Sequence, residues 1–166
     1  MTYEILADQV EVYELGIGKI SSYPFVVNHI EYVCWFTELT ADSESVEDTA
    51  REIEEDGYFT VGPNTYKVDF DTREKFDLMD EDSLFEIPEG GYGHSFRDLA
   101  AISAAIACII DIHQEIYDCI FYFAEPATSS HNAMYERWVI PKLTEYGYNY
   151  HRIDDNEGCN YVFAKE

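Results

Sequence analysis

Residues 95–124 read SFRDLAAISAAIACIIDIHQEIYDCIFYFA, and residues 125–148 continue EPATSSHNAMYERWVIPKLTEYGY. From Leu99 to Ile112 nearly every side chain is apolar, so a helix here has no broad polar face to offer water and must be buried on most sides. Ser95 and Asp98 suit its start, because a hydroxyl can accept from an orphan amide and a carboxylate favours the positive end of the helix dipole. Asp111, His113, Gln114 and Glu115 close it, which makes the stretch a core helix over 95–116 and leaves no segment expected to span a bilayer. Asp118–Ala124 is short, aromatic and without polar alternation, as in a strand covered on both faces. It predicts a sheet centre that includes Ile120 and Phe121. Glu125 and Pro126 end that strand, Thr128, Ser129 and Ser130 offer caps, and a second helix is expected from about His131 to Tyr146. Pro141 inside that helix predicts a kink with one backbone hydrogen bond lost, and Gly147 predicts a left-handed stop.

Composition bounds the remainder. The chain's 166 residues suit one domain, 1–166, with a core that needs no staples. Aromatic residues make up 16%, which argues for a packed fold despite a formal charge of −24 from 34 acids and 10 bases. Such a field excludes direct nucleic-acid binding over most of the surface and favours a basic protein partner. Cys34, Cys108, Cys119 and Cys159 are scattered, with no C-x-x-C pair and no histidine at zinc spacing, so reduced packing cysteines and no metal site are expected. Met1 leads straight into charged alternation, which predicts no signal peptide, no membrane association and a cytoplasmic setting.

In chain order, residues 3–15 predict an opening strand broken by Gly16 and Gly18. Residues 25–39 predict one or two strands that turn at Asn28 and His29, with Trp35 and Phe36 either on the core face, the more common outcome, or on a partner surface. Ser45–Asp56 has the pattern of an amphipathic helix whose buried stripe is Val46, Ala50 and Ile53 and whose outer face is acidic. Tyr58–Val61 and Thr65–Asp71 predict a hairpin across Gly62, Pro63 and Asn64, with Tyr66, Val68 and Phe70 alternating against Lys67 and Asp69. Ser83–Ile87 predicts another strand, and 148–153 with 160–164 a closing hairpin. Between Asp42 and Glu89 stand seventeen acids, half of the total, against four bases. DLMDEDSLFE lacks the glycine that a calcium loop requires, so an EF-hand is not supported. The fold class is α/β (α+β), with a central mixed, mostly antiparallel sheet flanked by helices.

From Ser83 onward the order strand, turn, long helix, strand, helix, strand, strand resembles the second half of the GCN5-related N-acetyltransferase (GNAT) fold. That family carries Gln/Arg-x-x-Gly-x-Gly/Ala in the turn before the long helix, where amides hold the pyrophosphate of acetyl-CoA. Pro88-Glu89-Gly90-Gly91-Tyr92-Gly93 stands there: Gly91 and Gly93 match, Pro88 replaces the Gln or Arg, and Glu89 adds negative charge. Asn132, Ala133 and Gly147-Tyr148 resemble the family's later segment, although its catalytic tyrosine position, counted back from Gly147, falls at Leu143.

Acetyl transfer needs an amide-lined anion site, a base for the acceptor amine and an acid for the departing thiolate. The resemblance implies acetyl-CoA held by Gly91, Gly93 and Asn132, with Glu86 or His94 as base and Tyr135 or Tyr146 as acid. G-x-S-x-G, H-E-x-x-H and Walker patterns are absent. The competing class is a non-enzymatic interaction or inhibitor protein without a cofactor. Its carboxylates would imitate nucleic-acid phosphates in the basic groove of a nucleic-acid-binding protein. The candidate partner-binding residues are Glu47, Glu54, Glu55, Asp77, Asp80 and Asp82. The reading favoured by the sequence is the latter: a GNAT-like sandwich with a degenerate acyl-CoA site, acting as an acidic binding protein.

Overall fold

A computed structural model describes residues 2–15, 18–39, 50–51, 53–55, 57, 59–78, 96–126, 129–155 and 158–165. The chain forms β1 (Tyr3–Ile5), a 3-10 turn (Ala7–Gln9), β2 (Glu11–Leu15), β3 (Gly18–Val27), β4 (Ile30–Glu38), β5 (Thr65–Thr72) and α1 (Arg73–Leu78). It continues with α2 (Phe96–Tyr117), β6 (Phe121–Ala124), α3 (Ser129–Met134), a π-helical segment (Tyr135–Val139), α4 (Ile140–Glu145), β7 (Tyr148–Asp155) and β8 (Gly158–Lys165). Residues 50, 51 and 53–55 are also helical.

The strands make one eight-stranded sheet in the order β1-β3-β4-β5-β6-β8-β7, with β2 also pairing β3. Every pair is antiparallel except β5 with β6, which runs parallel from Thr65↔Phe121 to Val68↔Ala124. Parallel neighbours cannot be joined by a tight turn. Here the connection contains α2, which lies across β1 and β3 on the front face of the sheet.

Side-chain alternation fixes which face each residue serves. Tyr66 and Val68 of β5, Tyr122 of β6 and Phe163 of β8 point forward and pack with Ile102, Ile106, Ile109 and Ile110 of α2 in the main core. Their neighbours point backward. Phe121 and Phe123 pack with Ile53 and Ile153, while Val33 and Trp35 pack with Phe76 of α1. Trp35 and Phe36 are both buried, which settles them in the core rather than on a partner surface. At 22 residues, the length expected from the sequence, α2 is long and apolar enough to cross a bilayer by length and composition. Its apolar residues are spent on the sheet instead.

Several local expectations are met. Asn28 and His29 turn β3 into β4 with φ of 50° and 66°, the positive values that a two-residue hairpin turn requires. Gly147 takes φ 95° at the end of the helical rod. Others need correction. The opening strand is split, because β1 and β2 pair with different halves of β3 and the 3-10 turn between them bridges the gap. Residues 59–62 form no strand; β5 pairs instead with β4 and β6, and the Leu39 amide donates to the Thr65 carbonyl. Ile120 is 61% exposed, so the sheet centre begins at Phe121. Asp118 has φ 49°, and this turn swings Ile120 outward before the strand starts. The kink expected at Pro141 takes the form of the π segment just before it. The Ile140 amide donates to the Tyr135 carbonyl, one residue farther back than in an α-helix, and Pro141 then opens α4 where its missing N–H costs little. Helix α1 carries no apolar stripe long enough to be read from sequence. The strand expected at 83–87 lies outside the described residues, as does all of helix 45–56 before residue 50.

Candidate functional site

The parallel pair is also where the sheet opens. β6 ends at Ala124, while β5 runs on to Thr72, so the two strands part beyond Val68. Pro126 has no N–H with which to prolong β6. In open sheets with parallel strands, ligands gather at the carboxyl ends of strands that diverge in this way. The cleft here is lined by Val68, Asp69, Phe70, Glu125, Pro126, His131 and Tyr135. It encloses about 10 Å³, room for about one water molecule.

Tyr135 reaches the cleft because it opens the π segment, a distortion that frequently accompanies functional sites. Its ring stacks on Tyr161 and Phe163 of β8, with centroids 6.1 and 6.4 Å away. Burial, with Cys34 and Asp69 nearby, pushes its phenol well above the ordinary range, so the hydroxyl keeps its proton. Burial also raises the carboxyl of Asp69, which the neighbouring Lys67 ammonium partly offsets. Lys67 Nζ lies 3.7 Å from Glu125, closing one rim, and the Phe70 and His131 rings stand 5.2 Å apart at the other.

The proposed acyl-CoA residues are only partly gathered here. Asn132 stands one turn before Tyr135 and is already engaged: its Oδ1 lies 2.6 Å from the Tyr161 hydroxyl, which also lies 2.8 Å from Glu136. Tyr146 is eleven residues beyond Tyr135, about 16 Å along a helix, and associates with Cys108 and Lys142. It is not among the residues that line the cleft. Leu143, at the family's tyrosine position, is buried in the main core. Glu86, Gly91, Gly93 and His94 lie outside the described residues. Sequence reasoning missed Asp69 and Glu125. Their signal was available in principle, since Asp69 falls on the backward face of a strand whose forward face is apolar, but only the pairing of β5 with β6 brings the two acids to one cleft.

The acidic candidates divide similarly. Glu54 and Glu55 are exposed on the helical segment anchored by Ile53, and Asp77 is exposed on α1, where Arg73 Nε holds it at 2.9 Å. Both segments lie on the back face of the sheet. Glu47, Asp80 and Asp82 lie outside the described residues. Between the two helical anchors, β5 turns Lys67, Asp69 and Asp71 backward. Asp71 is 6% exposed, and burial raises its pKa to about 6 even though it accepts from the Thr72 amide at 2.7 Å.

At least five of the ten bases are held by the protein's own carboxylates: Lys67 by Glu125, Arg73 by Asp77, Lys142 by Glu145, Arg152 by Glu136 and Lys165 by Asp111. Acids outnumber bases by 34 to 10, so this pairing leaves the excess negative charge uncompensated. Comparisons with family models, with curated proteins and with solved structures find no match to this chain.

Proposed function

We propose that this chain is an acidic interaction protein on a GNAT-like frame, binding a basic, nucleic-acid-binding partner through carboxylates arrayed on the back of its sheet. The observation that carries this reading is the placement of the two acidic helical segments. Ile53 and Phe76 seat them on the same sheet face, which leaves Glu54, Glu55, Glu74 and Asp77 exposed on one layer. Carboxylates held on a rigid layer can act together on a basic groove, whereas the same charges on a loose tail would be screened and would cost entropy to order. The bases already engaged by internal acids are a poor match for a polyanionic cofactor. Buried Asp98 adds negative charge in the first turn of α2, where the pyrophosphate of an acyl-CoA would sit. Core Leu143 replaces the family's acid, and Asp69 and Glu125 flank a cleft of single-water size. A cytoplasmic setting, where thiols stay reduced, suits the free cysteines Cys34, Cys108 and Cys119.

A second reading, an acyl-CoA-dependent N-acetyltransferase, is favoured by one observation: protonated Tyr135 lines the cleft where the parallel strands part. The succession of a long crossover helix, a short parallel strand, a helix and a hairpin supports the frame in either case. The deciding experiment pairs two measurements. Capture of a basic partner at low salt, its displacement by duplex DNA, and its loss on changing Glu54 and Glu55 to Gln and Asp77 to Asn support the first reading. A rise in melting temperature with millimolar acetyl-CoA, together with unchanged capture by the triple variant, supports the second and sinks the first.

A further inference from the structure

The two edges of the sheet are protected unequally. At one end the outermost positions are shared by β1, three residues long, and β2, five residues long, with the 3-10 turn between them, and Glu4, Glu11 and Glu14 lie along these strands. Breaks and carboxylates of this kind stop another strand from adding to an edge. At the other end stands β7, eight residues paired without a bulge to β8 and, among the described residues, to no other strand. It contains neither proline nor glycine nor lysine. Asn149, Tyr150 and Arg152 are exposed, Tyr150 by 53%, so the middle of this edge reaches solvent. No acid falls between Tyr148 and Ile153, in a chain where acids outnumber bases by 34 to 10.

We propose that β7 is a dimer interface, at which a second copy of this chain adds its own β7 in antiparallel fashion and the two sheets continue as one. The register follows from symmetry. A two-fold axis perpendicular to the sheet keeps both front faces on the same side, so each residue meets one of its own face and the axis passes through a residue rather than between two. Overlap of the eight residues is greatest with the axis at His151 or at Arg152. The second setting puts Arg152 opposite its own copy, a like-charge pair that destabilises. The first puts Tyr150 opposite the partner's Arg152, twice by symmetry. Both side chains stand on the front face, across from the core residues Phe163 and Tyr161, and the guanidinium can lie on the ring while Glu136 holds it at 2.8 Å.

Backbone alternation agrees with this register. The β7–β8 ladder runs to the Asp155↔Gly158 pair, and a ladder that closes over two residues ends on a hydrogen-bonded pair. Counting back, the odd-numbered residues of β7 exchange bonds with β8, and the even-numbered ones, with Tyr150 central, turn their N–H and C=O outward. With the axis at His151 these outward residues meet one another, and His151 faces its own copy as a close, non-hydrogen-bonded pair. Self-complementarity selects a second copy over a foreign strand: an aromatic ring and a cation two residues apart on one face answer each other across the axis. Two chains of charge −24 repel at a distance, so the dimer tightens as salt screens that field. Partner capture by the acidic layer has the opposite salt dependence, and the two proposals stand independently.

The test is sedimentation velocity on the full chain from micromolar to millimolar concentration, at low and high salt. The parent should form a reversible dimer that strengthens with salt. Tyr150→Lys sets positive charges opposite one another across the axis and should weaken the dimer by about tenfold or more. Tyr150→Pro removes an outward amide and leaves the β7–β8 ladder whole, so it should melt near the parent and remain monomeric. The variant with Glu54→Gln, Glu55→Gln and Asp77→Asn should dimerise at least as well as the parent, which separates a failure here from a failure of the partner-binding reading. A parent that stays monomeric at high salt refutes the proposal and leaves the edge to a foreign strand. Dimerisation of Tyr150→Lys at parental affinity places the interface elsewhere and also overturns it. Should the substitutions at Tyr150 unfold the protein, crosslinking decides. His151→Cys should give a disulfide-linked dimer under mild oxidation, absent from the parent and from Asn149→Cys, whose position lies about 13 Å along the strand from its copy; the reverse pattern refutes the register and the interface with it.

Discussion

Asp71 offers a prediction whose size follows from the fold. It is buried on the back of β5, two residues from Asp69 on the same face, and its pKa is raised to about 6 from an ordinary 3.8. Burial is the main cause; the amide of Thr72 and the charge of Lys75 act the other way, and Asp69 adds to the rise. Because the folded-state pKa lies above the unfolded one, the folded protein holds the proton more tightly. The carboxyl therefore imposes no penalty below about pH 3.8 and destabilises progressively as pH rises through 6. At 1.36 kcal/mol per pKa unit, the penalty is roughly 3 kcal/mol at pH 7 and falls to about 0.5 kcal/mol at pH 4. Asp71→Asn removes the charge and keeps an oxygen for the Thr72 amide. Urea melts at pH 7 should show the variant more stable by on the order of 2–3 kcal/mol, with the gain almost gone at pH 4. A variant less stable than the parent at pH 7, or a difference that does not change with pH, would refute the reasoning.

Three further outcomes are expected. Ile106 is fully buried between α2 and the sheet, so Ile106→Ala should cost ~2–5 kcal/mol in chemical denaturation, and Ile106→Asp should abolish cooperative unfolding at neutral pH; an Ile106→Asp protein that melts like the parent would place α2 outside the core. Gly147 holds φ 95°, so Gly147→Ala should lower stability by about 1 kcal/mol or more although nothing crowds its Cβ position, and an unchanged melt would show that the turn relaxes freely. Under the transferase reading, millimolar acetyl-CoA should raise the melting temperature and Gly91→Val should erase that rise; the interaction reading expects no rise in either protein.

Much of the architecture was legible because its signals are local. The unbroken apolar run from Leu99 to Ile112 has one stable home, against a sheet, and DCIFYFA has the composition of a strand covered on both faces. Alternation in Tyr66, Val68 and Phe70 gave the facing of β5, and Asn28, His29 and Gly147 announced their turns through the backbone conformations they tolerate. The features that escaped depend on long-range pairing. Nothing near Tyr58–Val61 reveals that β5 will choose β4 and β6 over a local hairpin partner. Nor does the sequence around Ile120 show that Asp118 turns it outward. The cleft combines Asp69 of one strand, Glu125 beyond another and Tyr135 from a π-helical turn. Its acids become visible only once the parallel register from Thr65↔Phe121 is known.

The proposed function requires a rigid acidic layer on the back of the sheet to hold a basic partner by charge. The most direct measurement is the affinity for the captured partner across a salt series, for the parent and for the variant with Glu54→Gln, Glu55→Gln and Asp77→Asn. Charge-held binding should give affinity that falls steeply with salt for the parent, a shallower fall for the variant, and convergence of the two at high salt, where screening removes what the substitutions removed. Equal affinities at low salt, or binding by the parent that is insensitive to salt, would contradict it and would move the interface away from these carboxylates.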